Sequence, residues 1–368
     1  MTVLLREITT ASGHRFGHAT LAAPASLNAL SLAMIDTLAP QLDAWLADPG
    51  VVGVVLDGDG DKALCAGGDV LALYRSMRET EPGETPREAA AFFEREYRLD
   101  HRIHTARKPI VCWGHGIVMG GGLGLMAGAS HRVATPATRI AMPEITIGLY
   151  PDVGGSWFLP RMPGRAGLFL ALTGAPLNAA DAGFAQLADM VLPHEAKSAA
   201  LLAMAEASWH GERDADDAQL TRLLHTQAIG LLDSPLRRHA DRIDALMAGD
   251  DLGAIAERLR DLASHEDPWL AAAGKTFSKG SPTSAALSWA LWHRAQELEL
   301  ADIFRLEYQV SLGCCIHADF AEGVRALLID KDKKPRWQPA TLDAVTTAHV
   351  DAHFIPRHTG PHPLADLT

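Results

Sequence analysis

Two hydrophobic periods alternate along the first half of the chain, and after about residue 195 only the helical one persists. Residues 2–22 alternate apolar and polar positions about a Thr10-Ala11-Ser12-Gly13 turn, which predicts a β-hairpin. Ser31 heads a stretch with Ile35, Leu38, Leu42 and Trp45 on one helical face, and Pro40 is expected to kink it. The unbroken apolar run 51–56 ends in Asp57-Gly58-Asp59-Gly60 and reads as a buried strand with its turn. Asp69 can cap a helix to about Met77, and the polar stretch 79–86 with its two prolines reads as a loop. Phe92, Phe93, Tyr97 and His101 recur at helical spacing and predict a long helix over 87–106. A buried strand over 109–113 precedes a helix expected from 123 to 129. Short strands near 132–134, 139–141 and 189–191, and helices near 164–173, 179–185 and 194–207, complete this half.

Beyond it the signal is helical over 216–231, 235–247, 251–263, 281–298, 300–315 and 317–328, followed by a proline-rich tail. The pattern divides the chain into an α/β part over 1–195 and an α-helical part over 196–368, with no repeat of fixed period. The balance of 48% hydrophobic and 21% charged residues in 368 is that of a globular protein with a sizeable core. No run approaches the roughly 18 apolar residues of a membrane helix. Residues 1–7 enter the first strand without a secretory h-region or an Arg/Ser-rich transit segment, so a cytoplasmic location is expected.

A net charge of −12 argues against a nucleic-acid partner, because such binding is dominated by phosphate neutralisation. It leaves room for a phosphorylated small ligand, which needs only a few local cations. Cys65, Cys112, Cys314 and Cys315 form no CxxC pair and have no histidines at zinc spacing, so reduced, buried thiols are expected. The 17 histidines are scattered, and no metal site is expected.

The chemistry concentrates in three segments. Glu144 and Asp152 lie eight positions apart in Met142-Pro143-Glu144-Ile145-Thr146-Ile147-Gly148-Leu149-Tyr150-Pro151-Asp152-Val153-Gly154-Gly155. The apolar neighbours of Glu144 predict a pocket in which desolvation raises a carboxyl pKa and suits it to proton transfer. Upstream, Gly120-Gly121-Gly122-Leu123-Gly124 follows a strand and opens a helix, where unpaired N–H groups can hold a developing oxyanion. Cys65-Ala66-Gly67-Gly68-Asp69 offers a second bare stretch of backbone. Gly122-x-Gly124-x-x-Ala127 also fits a dinucleotide-binding fingerprint, but more than a hundred residues precede it where that motif opens a βαβ domain. Close helix–strand packing explains the same glycines without any ligand. No Gly-x-Ser-x-Gly elbow is present, since Ser156 runs into Trp157-Phe158.

Together these segments resemble the crotonase (enoyl-CoA hydratase/isomerase) superfamily, in the branch of the 3-hydroxyisobutyryl-CoA hydrolases. The resemblance is carried by 65–69, 114–124, 142–155 and Phe158-Leu159-Pro160-Arg161, and it continues in 92–97, Leu172-Thr173-Gly174, Ser281-Pro282-Thr283-Ser284, 319–326 and 329–332. It implies a spiral of strand–strand–helix repeats with an α-helical C-terminal region that covers the site and serves assembly, commonly into trimers or hexamers. It implies an acyl-CoA substrate, with coenzyme A as part of the substrate rather than a cofactor, and no membrane partner. The amides of Gly68 and Gly121 would hold the thioester oxygen. Glu144 matches one hydratase glutamate, whereas the other falls at Gly124, so hydration is disfavoured. Asp152 falls where the hydrolase branch carries an acid, and Glu96 matches a substrate-contacting acid of those hydrolases. Lys62, with Arg75, Arg78 and Lys108, is a candidate for the coenzyme A phosphates. The implied reaction is thioester hydrolysis, with Glu144 as nucleophile or as activator of a water. The alternatives are a hydratase or isomerase of the same superfamily and a noncatalytic acyl-CoA-binding protein.

Overall fold

The computed structural model describes residues 3–230 and 233–368. The chain divides into two compact units, each drawn from several segments. Met1–Gly68, Leu99–Ile140 and Leu177–Ser234 form the first; Asp69–Arg98, Ala141–Pro176 and Pro235–Thr368 form the second.

The first unit is built on two sheets. Strands β1 (Val3–Thr9), β2 (Arg15–Leu21), β3 (Val51–Gly58), β5 (Ile110–Gly114), β7 (His131–Ala134) and β9 (Met190–Val191) form a six-stranded sheet in the order β1-β2-β3-β5-β7-β9. The β1–β2 hairpin is antiparallel, with Val3 opposite Leu21 and Thr9 opposite Arg15, and the remaining pairs are parallel. Strands β4 (Ala63–Cys65), β6 (Ile117–Met119) and β8 (Arg139–Ala141) form a second sheet in the order β4-β6-β8. Successive strand pairs β3–β4, β5–β6 and β7–β8 thus give one strand to each sheet, as the strand–strand–helix spiral requires. β3 and β5 are buried along their whole length, which is why they read as unbroken apolar runs. Phe16, Val55, Val111, Trp113, Met204 and Trp209 meet in the core, where the rings of Phe16 and Trp209 pack edge to face at 4.8 Å.

The helices of the first unit follow the sequence signals closely. Ser31 caps Leu32–Ala47, which continues through Pro40, and its core face is Ile35, Leu38, Leu42 and Trp45. Gly121–Ala127 starts two residues earlier than expected, directly on the glycine run. Arg213–His225 ends before the predicted limit of 231, and that residue, like residue 2 of the hairpin, lies outside the described residues.

The second unit is helical. Asp69 accepts a hydrogen bond from the Ala72 amide at the head of Val70–Glu79. The 235–247 stretch forms two helices, Pro235–Arg238 and Ala240–Leu246, divided at His239, whose ring pairs with Asp267 at 2.9 Å and stacks on Trp269. Pro268–Lys279 and Thr347–His353 are helices that periodicity does not announce. The first is rich in small residues and marked only by its Asp267-Pro268 start; the second hides in the proline-rich tail. Leu300–Ile316 is the buried helix of this unit, followed by Ala318–Val324 and a π turn over Arg325–Ile329. Among the described residues no helix is long and apolar enough to cross a membrane. All four cysteines are free and buried.

Candidate active site

Glu144 opens a short turn, Glu144–Thr146, after Pro143, which bars a regular helix from starting any earlier. Its side chain is buried, and Oε2 has no hydrogen-bond partner among the described residues. Burial first, and then the charge of Asp152, raises its carboxyl well above the usual value. The neutral form is thereby favoured, and Oε2 lacks the bond that would offset a burial cost of about 1–3 kcal/mol.

Asp152 is also buried, and its Oδ2 accepts a 2.6 Å hydrogen bond from the Tyr97 hydroxyl. Burial pushes it up to about 6, while the tyrosine bond pulls the other way. The tyrosine bond favours the charged form of Asp152, whereas Glu144 Oε2 has no such donor among the described residues.

Behind them lies a hydrogen-bonded network that supports Asp152. Tyr97 Oη lies 2.7 Å from Ser311 Oγ, which is 2.9 Å from Tyr150 Oη. The Tyr150 hydroxyl donates to the Glu307 carbonyl at 2.8 Å. The Glu307 carboxyl accepts the Gly154 amide at 2.8 Å and the Ser156 amide at 2.9 Å. Burial and Asp152 raise Glu307 to about 8, against the lowering effect of the two amides. Glu96 is buried on the same helix as Tyr97, Arg87–His104, and its charge acts on that tyrosine. The sequence reading did not single out Tyr97, Tyr150, Glu307 or Ser311 as site residues. A signal for two of them exists: Glu307 and Ser311 interrupt the apolar stripe Ile303, Phe304, Val310, Cys314 at core positions.

The Glu144 turn is backed differently. Its Ile145 carbonyl accepts the Ser281 amide at 2.9 Å. Ser281 Oγ donates to Asp319 Oδ2 at 2.6 Å, and Asp319 Oδ1 accepts the Gln338 amide at 2.8 Å. Gly148 and Gly323 let the segment and the helix Ala318–Val324 touch backbone to backbone. A Cβ on Gly148 would stand 2.2 Å from the Asp319 carbonyl oxygen, and one on Gly323 would stand 2.3 Å from the Ile147 carbonyl carbon.

The amides named from the sequence belong to the first unit. Gly68 follows Gly67, which holds φ +116° at the end of β4. Gly121 is the first residue of its helix, so its N–H has no acceptor within the helix. The two loops run side by side: a Cβ on Gly122 would meet the Cys65 carbonyl oxygen at 2.3 Å, and Gly67 faces the Met119 backbone. Close packing between the two loops is what the glycines at 67 and 122 permit, and Gly121 is itself buried. Gly124 is buried in the same helix and brings no acid there.

The cations fare unequally. Lys62 is exposed on the turn before β4, and Arg75 and Arg78 are exposed on Val70–Glu79. Lys108 instead donates to the carbonyls of Trp45 and Asp48 at the end of Leu32–Ala47, so its ammonium is committed to a helix terminus. Among the described residues no cluster of His, Cys, Asp or Glu has the geometry to hold a metal.

A buried acid pair, glycine-opened amides and strand pairs shared between two sheets define a class. The chain belongs to the enoyl-CoA hydratase/isomerase family, whose profile matches residues 16–354. Within that family it falls in the branch of the 3-hydroxyisobutyryl-CoA hydrolases. It is 39% identical over 345 residues to the mitochondrial 3-hydroxyisobutyryl-CoA hydrolase of Xenopus tropicalis, covering 92% of this chain and 86% of that one. The human mitochondrial 3-hydroxyisobutyryl-CoA hydrolase is 37% identical over 344 residues, with the same coverage. Among solved structures, a carnitinyl-CoA dehydratase from Mycobacterium thermoresistibile superposes with a TM-score of 0.86 at 37% identity, covering 99% of both chains. An enoyl-CoA hydratase from Rhodobacter sphaeroides gives 0.82 at 35% identity, covering 97% of this chain and 98% of that one.

Proposed function

We propose that this protein hydrolyses the thioester of a short 3-hydroxyacyl-CoA, 3-hydroxyisobutyryl-CoA foremost, to the free acid and coenzyme A, a step of valine breakdown. The observation that carries this reading is the buried pair of Glu144 and Asp152 in a chain that has glycine at 124. One acid lacks a hydrogen-bond donor and the other accepts the Tyr97 hydroxyl, while the second glutamate of a hydratase is missing. The relatives named as 3-hydroxyisobutyryl-CoA hydrolases support the same substrate.

In this reading the amides of Gly68 and Gly121 polarise the carbonyl and stabilise the tetrahedral oxyanion, each donor contributing about 3 kcal/mol. Glu144 either attacks the carbonyl or activates the water that does. Either route starts from the ionised carboxylate, whose basicity burial raises. Asp152 orients the water or the 3-hydroxyl, Glu96 closes the acyl pocket, and Lys62 reaches the coenzyme A phosphates. The thiolate leaves without strong acid assistance, and no separate cofactor is used. The helical region 196–368 serves cover and assembly, into a trimer or hexamer, and the protein works in the cytoplasm.

A second reading, hydration or dehydration of an acyl-CoA, is favoured by the names of the superposable structures. Free-thiol release from 3-hydroxyisobutyryl-CoA, measured beside hydration of crotonyl-CoA, separates the two. Thiol release without hydration is expected. Hydration without thiol release would overturn the hydrolase reading, and turnover of neither substrate would leave an acyl-CoA-binding protein.

A further inference from the structure

The turn that carries Asp152 is held in a conformation its own sequence does not favour. Val153 has φ +52°, a region that β-branched residues almost never occupy, and Gly154 follows at φ +84°. Two consecutive left-handed residues, one of them a valine, are strained and persist only where the surroundings impose them. Within the turn, the Gly155 amide bonds the Asp152 carbonyl at 2.7 Å, which closes it locally without fixing where it points. The direction is fixed from the helix Leu300–Ile316. Glu307, fully buried, reaches out with both carboxyl oxygens and takes one amide on each side of Gly155, those of Gly154 and Ser156. The same residue's carbonyl takes the Tyr150 hydroxyl, and one helical turn further on Ser311 sits against both Tyr150 and Tyr97. Glu307 thus grips the chain on the far side of the strained valine, while Tyr97 grips the Asp152 carboxyl itself.

A glutamate here is an expensive choice for stability alone, since burying a carboxyl costs far more than burying the leucine or methionine that would fit the stripe. Its two acceptor oxygens match two amides that would otherwise be left unpaired at the start of Gly155–Phe158. We propose that Glu307 is a positioning residue for the reaction: by clamping the Gly154 and Ser156 amides it holds the left-handed Val153–Gly154 turn and so aims the Asp152 carboxyl. The proposal rests on the assignment of Asp152 to hydrolysis made above. Glu307 itself does not touch the substrate. It acts only through the turn.

The consequence is a specific pattern of coupling. Glu307→Gln keeps the side-chain volume but replaces one acceptor by an NH2 group, which opposes one of the two amides. Displacement of a catalytic group by about 1 Å costs about 100-fold. Glu307→Gln is therefore expected to lower kcat for thiol release by about 10- to 100-fold, with KM for the acyl-CoA within about twofold. A residue acting through Asp152 has nothing left to act on once that carboxyl is removed. In the Asp152→Asn background, adding Glu307→Gln is expected to cost less than about twofold further, the signature of groups working as a unit.

The experiment is the full double-mutant cycle on the complete chain, with folding checked by circular dichroism. Multiplicative losses in the cycle, or an unchanged kcat in Glu307→Gln, would overturn the positioning role. Glu307→Asp, which keeps the carboxylate and shortens its reach, is the second probe should Glu307→Gln fail to fold, and it must obey the same rule. The outcomes remain distinguishable from failure of the reading beneath them. If Asp152→Asn alone leaves thiol release intact, the assignment of Asp152 is wrong. If Asp152→Asn abolishes it and Glu307→Gln does not, only the positioning role is lost.

Discussion

At the scale of single residues, Glu144 and Asp152 show how chemically similar groups are given different environments. Both are buried acids of one unit, yet Asp152 has a tyrosine hydroxyl to stabilise its charge and Glu144 Oε2 has no partner among the described residues. In the proposed reaction, replacing Glu144 removes a proton-transfer group and relieves a desolvated one in the same stroke. Glu144→Ala is expected to lower thiol release by about 100- to 10,000-fold, the usual contribution of a general acid–base group. The melting temperature should not fall, because an unpaired buried oxygen disappears with the side chain. Calorimetry beside the kinetic assay checks both halves. Loss of activity together with loss of the folding transition would show that Glu144 is structural. Both acids were legible in the sequence, because carboxyls in an apolar stretch beside glycine runs are unusual. Tyr97 was legible only as a core aromatic, since its hydroxyl bond is made to a residue 55 positions away.

At the scale of elements, the Glu144 segment depends on a helix that carries none of the proposed chemistry. Ala318–Val324 lies on the Glu144 segment with no room for a side chain between the backbones, and Ser281 with Asp319 ties the two together. Gly148 combines that close approach with φ +75°. Gly148→Ala is accordingly expected to destabilise the fold by about 2–4 kcal/mol, from backbone strain and a clash with the Asp319 carbonyl. It should also lower kcat more than it raises KM, because Glu144 begins the same segment. Denaturant unfolding and steady-state kinetics on the variant test this, and an unchanged unfolding midpoint would refute it. Elements with long, strong periods, such as Leu32–Ala47 and Leu300–Ile316, were visible beforehand. β4 and β6, three residues each, are too short for a period to show, and Pro268–Lys279 presents small residues that blur its stripe.

At the scale of the whole molecule, burial of ionisable groups makes stability depend on pH in a definable way. Glu144, Asp152 and Glu307 are raised in the fold, to about 6 for Asp152 and about 8 for Glu307, so the folded state keeps protons that the unfolded chain has lost. For such groups stability is greatest below the ordinary carboxyl value and declines as pH rises through the folded one. His104 and His317 are lowered to about 4 and His353 to about 3 by burial, and these act oppositely, costing stability as pH falls below about 6.5. The two sets offset each other between about 4.5 and 6.5; above that window the carboxyls lower stability, joined towards about pH 8.5 by the buried thiols of Cys112, Cys314 and Cys315, which burial also raises. The melting temperature is expected to fall from pH 6.5 to 8.5, and Glu307→Gln should flatten that decline; a slope unchanged by the substitution would contradict it. By itself the sequence determined the α/β class and the family, and it pointed to the two acids and the two glycine loops as candidates, because each rests on local spacing or on residues contiguous in the chain. Only the tertiary structure decided which groups share a buried environment. The Tyr97–Ser311–Tyr150–Glu307 network, the commitment of Lys108 to a helix end and the backbone contact at Gly148 join distant segments. Desolvation and hydrogen bonding across such distances leave no periodic trace in the sequence.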